Sequence, residues 1–182
     1  DGDTLIADSH SIIDHLARTR GKDLDAHLSA RERAQALAWE RLLAEHLYWS
    51  MVYFRWVDDS GWQRIRKYFF SPIPAPVRPL VEFAARRGTR AQTRGHGLGR
   101  HAPQEIVRRA GEDIDALAAQ LGEQPFLVGA QPTRLDATAY ALLANIWQID
   151  FDTPLKPLVA RHANLRAYCE RMRARCFPEP TS

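Results

Sequence analysis

Cysteine is scarce in this chain, with two in 182 residues, too few to build a disulfide-held secreted fold. No apolar run approaches the ~18–20 residues that a membrane span needs, and no basic-then-apolar leader opens the sequence. Lysine is nearly missing as well: Lys22, Lys67 and Lys156 stand alone, so arginine carries the cationic charge. Lys and Arg number 25 against 22 Asp and Glu, a surplus of only +3. Arg86, Arg90 and Arg94 share one face at helical spacing, with Arg87 beside them. Such a row is read as a solvated helix face in preference to a nucleic-acid surface, because an Arg-rich, Ala-rich composition also follows from a GC-rich genome. At 45% apolar and 26% charged residues the composition is that of an ordinary globular domain. Collagen-like, disordered and transmembrane classes are excluded.

The opening reads as strand then helix. Thr4, Leu5, Ile6 and Ala7 are short, apolar and partly β-branched, and Asp8-Ser9 supplies a helix-start signal. Ile12, Ile13 and Leu16 form an apolar stripe that runs out near Gly21. A lone strand cannot satisfy its backbone groups, and no later segment offers a sheet partner. The opening is therefore expected to be the tail of a domain whose earlier part is missing.

From Ser29 onward every periodic segment has a helical period. Ser29 with Glu32 fits a capping box, and the pattern continues without Gly or Pro to Ser60, predicting one helix of ~45 Å. Pro72, Pro74, Pro76 and Pro79 form a stiff connector, read as an interhelix loop in preference to a polyproline ligand. An Arg-rich helix is predicted from Val77 to the glycine cluster at 95–99. No strand precedes that cluster and its spacing fits no phosphate-binding fingerprint, so it is read as a bend. Pro103 suits the first turn of the next helix, whose stripe Ile106, Ala110, Ile114, Leu117, Ala118 and Leu121 is stopped by Gly122. Phe126-Leu127-Val128 is a short apolar connector. Thr133-Arg134-Leu135-Asp136 is a second capping box, opening a helix to about Trp147. A short helix after Pro154 and a last one carrying Leu165, Tyr168, Cys169 and Met172 close the chain.

This order of features resembles the glutathione transferase superfamily. The carriers are the strand ending in Asp8-Ser9, the helix with Ile12-Ile13, the long helix pair, Phe126-Leu127-Val128-Gly129 and the second capping box. The run Gly95-His96-Gly97-Leu98-Gly99-Arg100-His101, followed by Glu105, resembles more narrowly the failed axon connections and metaxin-like branch. The resemblance implies an all-α fold: a glutathione-transferase C-terminal helical bundle preceded by a strand-helix remnant of a thioredoxin-like domain. Residues 1–22 would be that remnant and residues 23–182 the helical domain. It further implies that the family's catalytic Tyr, Ser or Cys and its cis-proline lie in elements ahead of Asp1.

Asp8 and Ser9 are the candidate cofactor-binding residues. The resemblance implies glutathione, whose γ-glutamyl end carries a carboxylate and an ammonium. Free amides and a hydroxyl at a helix start suit the carboxylate, and the aspartate suits the ammonium. The same pair also serves as an ordinary helix cap. Trp49, Tyr53 and Trp56 fall at i, i+4 and i+7 and would share a face, either walling an apolar substrate pocket or filling the core. Arg100 and His101 could present positive charge to an anionic ligand from the bend, or simply complete a solvated turn. His96 and His101 lack the partners of a metal site, so none is expected. Cys169 and Cys176, ~10 Å apart along one helix, should not pair. Both are read as buried small apolar residues.

These readings converge on a glutathione transferase-like protein whose intact parent conjugates or reduces a small apolar electrophile with glutathione. The alternative is a non-catalytic helical module for protein interaction or assembly. A homodimer, a cytoplasmic location, no nucleic-acid partner and no membrane span complete the expectation. The chain alone, lacking the catalytic elements, is expected to be inactive.

Overall fold

The computed structural model describes residues 5–178, the side chain of Ser9 excepted. Among them the chain is all-α, and the one β-type pairing is an isolated bridge between Phe126 and Gly129. Leu5–Ala7 do not form the expected strand, and Thr4 lies outside the described residues. Without a neighbouring strand the extended backbone has no ladder to join.

Helix α1 (Ser9–Arg20) ends at Gly21, whose φ of 64° is the left-handed stop that glycine accepts without strain. Helix α2 (Ala30–Leu42) begins in the expected capping box, with Ser29 Oγ accepting from Glu32 N and the glutamate accepting from Ser29 N. The same helical rod continues through a π turn (Leu43–Leu47), α3 (Tyr48–Val52) and a second π turn (Tyr53–Val57). It stops three residues short of the predicted end. Asp58 leaves helical geometry and caps α4 (Asp59–Ile65) by accepting from Ser60 N and Gly61 N. Gly61 is needed at this corner, since a Cβ would lie 1.8 Å from the Phe54 carbonyl oxygen. A third π turn (Arg66–Phe70) leads into the proline connector, and α5 (Arg78–His96) returns along the second and third π turns.

After a single 3-10 turn (Leu98–Arg100) come α6 (Pro103–Leu121), α7 (Arg134–Trp147), the short α8 (Lys156–Ala160) and α9 (Ala163–Cys176). The predicted stripe of α6 faces inward: Ile106, Ala110, Ile114 and Leu117 are fully buried, against Leu43, Leu47, Leu143, Leu165 and Tyr168 of the other helices. At the start of α7, Asp136 is itself buried and its carboxylate is saturated. Oδ2 accepts from Thr133 N and from the Thr133 hydroxyl, each at 2.8 Å, and Oδ1 from Leu127 N and Tyr168 OH. One carboxylate thus ties the 126–128 connector, the helix start and α9 together. Burial, followed by the charge of Asp136, raises the Tyr168 phenol well above its ordinary range, so it stays a donor.

A second, smaller cluster lies apart from this core. Trp62, Ile65, Phe70 and Phe151 form it, with Trp56, Ile73 and Ala85 packed on its edge. Cys169 is buried as expected, but Cys176 is exposed on the last turn of α9, and both thiols are free.

Candidate functional site

Asp8 is the one non-glycine residue at positive φ among the described residues, at φ 79° and ψ 130°. An L-residue in such a conformation costs about 1–3 kcal/mol, and outliers of this kind concentrate at functional sites. The conformation turns the chain into α1, where Asp8 Oδ1 accepts from His10 N at 2.8 Å and Ser11 N at 3.4 Å. Polar contacts hold α1 on the bundle: His10 Nδ1 lies 3.3 Å from Glu40 Oε1, and Arg134 pairs with Asp14 and with Asp25. Its apolar outer side is left open, with Ile12 and Leu16 both exposed.

Beside Asp8 opens a cleft of about 580 Å³. Leu43 and Ala44 of the first π turn, with Tyr48 and Met51 of α3, form one wall. Ala137, Thr138 and Ala141 of α7 form the other, and Ile13 of α1 lies between them. The volume is that of a small-molecule site, and the lining is apolar apart from a few polar groups at its edges. Asn145 marks the far end, where its carbonyl oxygen accepts from Arg55 Nη2 at 2.5 Å. Chemically the cleft offers a carboxylate and a helix start at one end, then an apolar trough.

The expected pocket residues do not join it. Trp49 packs against the main core and stacks on His96, ring centroids 4.8 Å apart at 21°. Tyr53 packs edge-on against Phe54, and burial pushes its phenol up, so it remains neutral. Trp56 belongs to the second cluster, beside Trp62, Phe69 and Phe70. The i, i+4, i+7 argument presumes an unbroken α-helix, whereas the π turn at Tyr53–Val57 changes the angular register of everything in it. Arg100 and His101 line a separate cleft of about 420 Å³ with His46, His96 and Arg109. There His46 Nδ1 lies 2.5 Å from Asp113 Oδ2, and burial is the main cause raising the Asp113 carboxyl. Asp8 and the Arg100-His101 pair therefore sit on different clefts. No cluster of three or more His, Cys, Asp or Glu side chains suited to a metal occurs among the described residues.

Tyr48, Met51 and Thr138 were not anticipated as cleft residues. Ala44, Tyr48 and Met51 have the same i, i+4, i+7 spacing as Trp49, Tyr53 and Trp56, one face over. Ala137, Ala141 and Asn145 repeat every four residues on α7. Facing stripes of small and flexible residues were the available signal.

Two family models match the chain. One describes a glutathione S-transferase N-terminal domain and matches residues 1–61; the other describes the C-terminal domain of glutathione S-transferase and matches residues 110–172. The isoprene-epoxide–glutathione S-transferase of Rhodococcus sp. (strain AD45) is 35% identical over 93% of this chain and 72% of that protein. The chain belongs to the glutathione S-transferase superfamily. Failed axon connections of Drosophila melanogaster is 29% identical over 96% of the chain and 44% of its own length. Human metaxin-1 is 31% identical over 96% of the chain and 39% of its own length. Both are similar to this chain along nearly all of its length, while the chain spans less than half of either. The segment 62–109, holding most of α4, the third π turn, α5 and the glycine bend, falls in neither glutathione S-transferase model.

Proposed function

We propose that the protein is a glutathione transferase-like enzyme whose thioredoxin-like half precedes Asp1, with residues 1–22 as the last part of that half and residues 23–182 as the helical domain. In this reading Asp8 and Ser9 hold the γ-glutamyl end of glutathione. The adjoining apolar trough receives a small electrophile, and residues ahead of Asp1 stabilise the thiolate. The observation that carries the reading is Asp8, held at positive φ at the mouth of the trough. The exposed Ile12 and Leu16 on the outer side of α1 support it, since a packed domain would cover them. An epoxide is the first electrophile to try, given the name of the Rhodococcus relative. Thiolate attack would form a sulfur–carbon bond and break a carbon–oxygen bond of the ring, with the alkoxide taking a proton from water.

The test is turnover of small epoxides, with glutathione affinity, in the protein including its N-terminal half. Asp8→Ala is expected to weaken glutathione binding about tenfold, the scale of one charge-assisted contact. Unchanged affinity in that variant would remove Asp8 from the site. The second reading, a non-catalytic module of the same fold, is favoured by the near whole-chain match to Failed axon connections and metaxin-1, names that record no reaction. It predicts normal folding with no turnover of any electrophile. A homodimer in the cytoplasm is part of the first reading, and sedimentation of the purified protein tests the association.

A further inference from the structure

The glycine bend at 97–101, which the glutathione reading leaves unused, forms one side of the cleft that holds Arg100 and His101. His46 reaches the same space of about 420 Å³ from the first π turn, His96 from the end of α5 and Arg109 from α6. Among the described residues Leu98 is the one apolar side chain in this lining.

The bend is built to hold Arg100 in place. Gly97 sits at φ 108°, which glycine adopts without strain. A Cβ on Gly99 would lie 2.8 Å from the Thr93 carbonyl carbon and 2.9 Å from Arg94 N, so glycine is what lets the turn fold back this closely on α5. Leu98, between them, is buried in the main core and anchors the turn. Arg100 Nε then donates to the Arg94 carbonyl at 3.0 Å, and its guanidinium makes no ion pair with any described residue.

The charges around the cleft leave a cationic surplus. His46 Nδ1 is committed to Asp113 at 2.5 Å, so Nε2 is the nitrogen left for a ligand. Burial raises the Asp113 carboxyl, the bond from His46 opposes that, and neighbouring Glu112 adds to it. Glu112 is itself held by Arg108, and Glu105 is shared by Arg108 and Arg109. Stacking on Trp49 fixes the plane of His96, whose ring nitrogens bond to no described residue. No carboxylate is left over for Arg100 or His101. Donors converging from three elements suit an anion with several equivalent oxygens, and imidazoles take up protons beside such a charge. With a single apolar side chain in the lining, nothing there would hold an alkyl or aryl tail.

We propose that this cleft is a second binding site, for the phosphoryl dianion of a small hydrophilic ester, held by Arg100 and His101 from the bend, His96 from α5 and His46 from the rod. It does not depend on the glutathione reading, because Asp8 and its trough lie on a different cleft.

The probe is glycerol 3-phosphate, titrated calorimetrically into the whole chain. One molecule per chain is expected to bind, with affinity that falls as salt rises, and glycerol should not bind. The double substitution Arg100→Ala with His101→Ala should weaken binding tenfold or more. His101→Ala alone, removing a side chain that bonds to no described residue, should weaken it severalfold without disturbing the turn. Asp8→Ala and saturating glutathione should leave the affinity unchanged. Circular dichroism of each variant confirms that the fold is kept. Sulfate, whose own charge does not change over the range, should bind severalfold tighter at about pH 6 than at about pH 8, as the imidazoles gain protons. Absence of glycerol 3-phosphate binding overturns the proposal, as does unchanged affinity in both variants. Sulfate affinity indifferent to pH overturns it too, by removing the histidines from the site. Competitive displacement by glutathione would replace it with a carboxylate site. Binding to vesicles containing phosphatidate, with none to glycerol 3-phosphate, would replace it with a lipid-headgroup contact.

Discussion

The main core and the outlying α4–α5 hairpin are both helical, yet they are closed in different ways. In the core, aliphatic stripes from the π turn at Leu43–Leu47, α6, α7 and α9 meet, and Leu43, Leu117, Leu143 and Leu165 lose all contact with solvent. Its most deeply buried carboxylate among the described residues, Asp136, has every oxygen engaged by three different parts of the chain. The hairpin instead closes on four residues, three of them aromatic, and fastens its edge with arginines: Arg55 and Arg64 over Phe151, Arg86 over Trp62. Tyr68, Phe69, Leu80 and Phe83 remain exposed on its outside. A fold can therefore place its stability in one layer and its unspent binding surface in another.

Substitutions at the two centres should separate these roles. Asp136→Ala strips acceptors from the buried Thr133 and Leu127 amides and from Tyr168. A loss of about 3–5 kcal/mol in urea unfolding is expected, spread over the whole bundle. Ile65→Ala, in the hairpin cluster, should cost about 2–3 kcal/mol. Its effect should be local: hydrogen exchange should quicken at α4 and α5 amides and stay slow in α6 and α7. Equal acceleration in both places would show one cooperative unit and erase the contrast. The smallest effect concerns pH. Arg108 and Arg109 hold the half-buried Glu105 carboxyl down at about 2, at the head of α6. A lowered folded-state value adds stability above the ordinary 4.5 and loses it as pH falls from there towards 2. Glu105→Gln should flatten that acid limb slightly, its small deficit being greatest near neutral pH and gone by about pH 2.

Much of the core was legible in the sequence because its signals are local. The Ser29–Glu32 box, the Thr133–Asp136 pair, Pro103 at a first turn and Gly122 after a last one each satisfy or remove a specific backbone group. The stripe of α6 has the helical period and is buried along its length. The hairpin was less legible. Asp58-Asp59-Ser60-Gly61 carries a helix-start signal, yet an unbroken apolar pattern runs up to it, so the break at Asp58 is masked. The three π turns have no residue signature of their own; they arise where the rod adjusts its register to neighbours far away in sequence. That adjustment is why Trp49, Tyr53 and Trp56 part company, and why Tyr48 and Met51 reach the Asp8 cleft instead. Asp8 itself was readable as a cap, but its positive φ was not, since glycine is the residue that usually announces it.

Glutathione-dependent hydrogen exchange, measured on the protein with its N-terminal half present, tests the central assignment most directly. The account predicts that saturating glutathione slows exchange at the His10 and Ser11 amides and along the α3 and α7 walls of the Asp8 cleft, with no change in α5. Binding that leaves the first turn of α1 unprotected, or no binding at all, would contradict it.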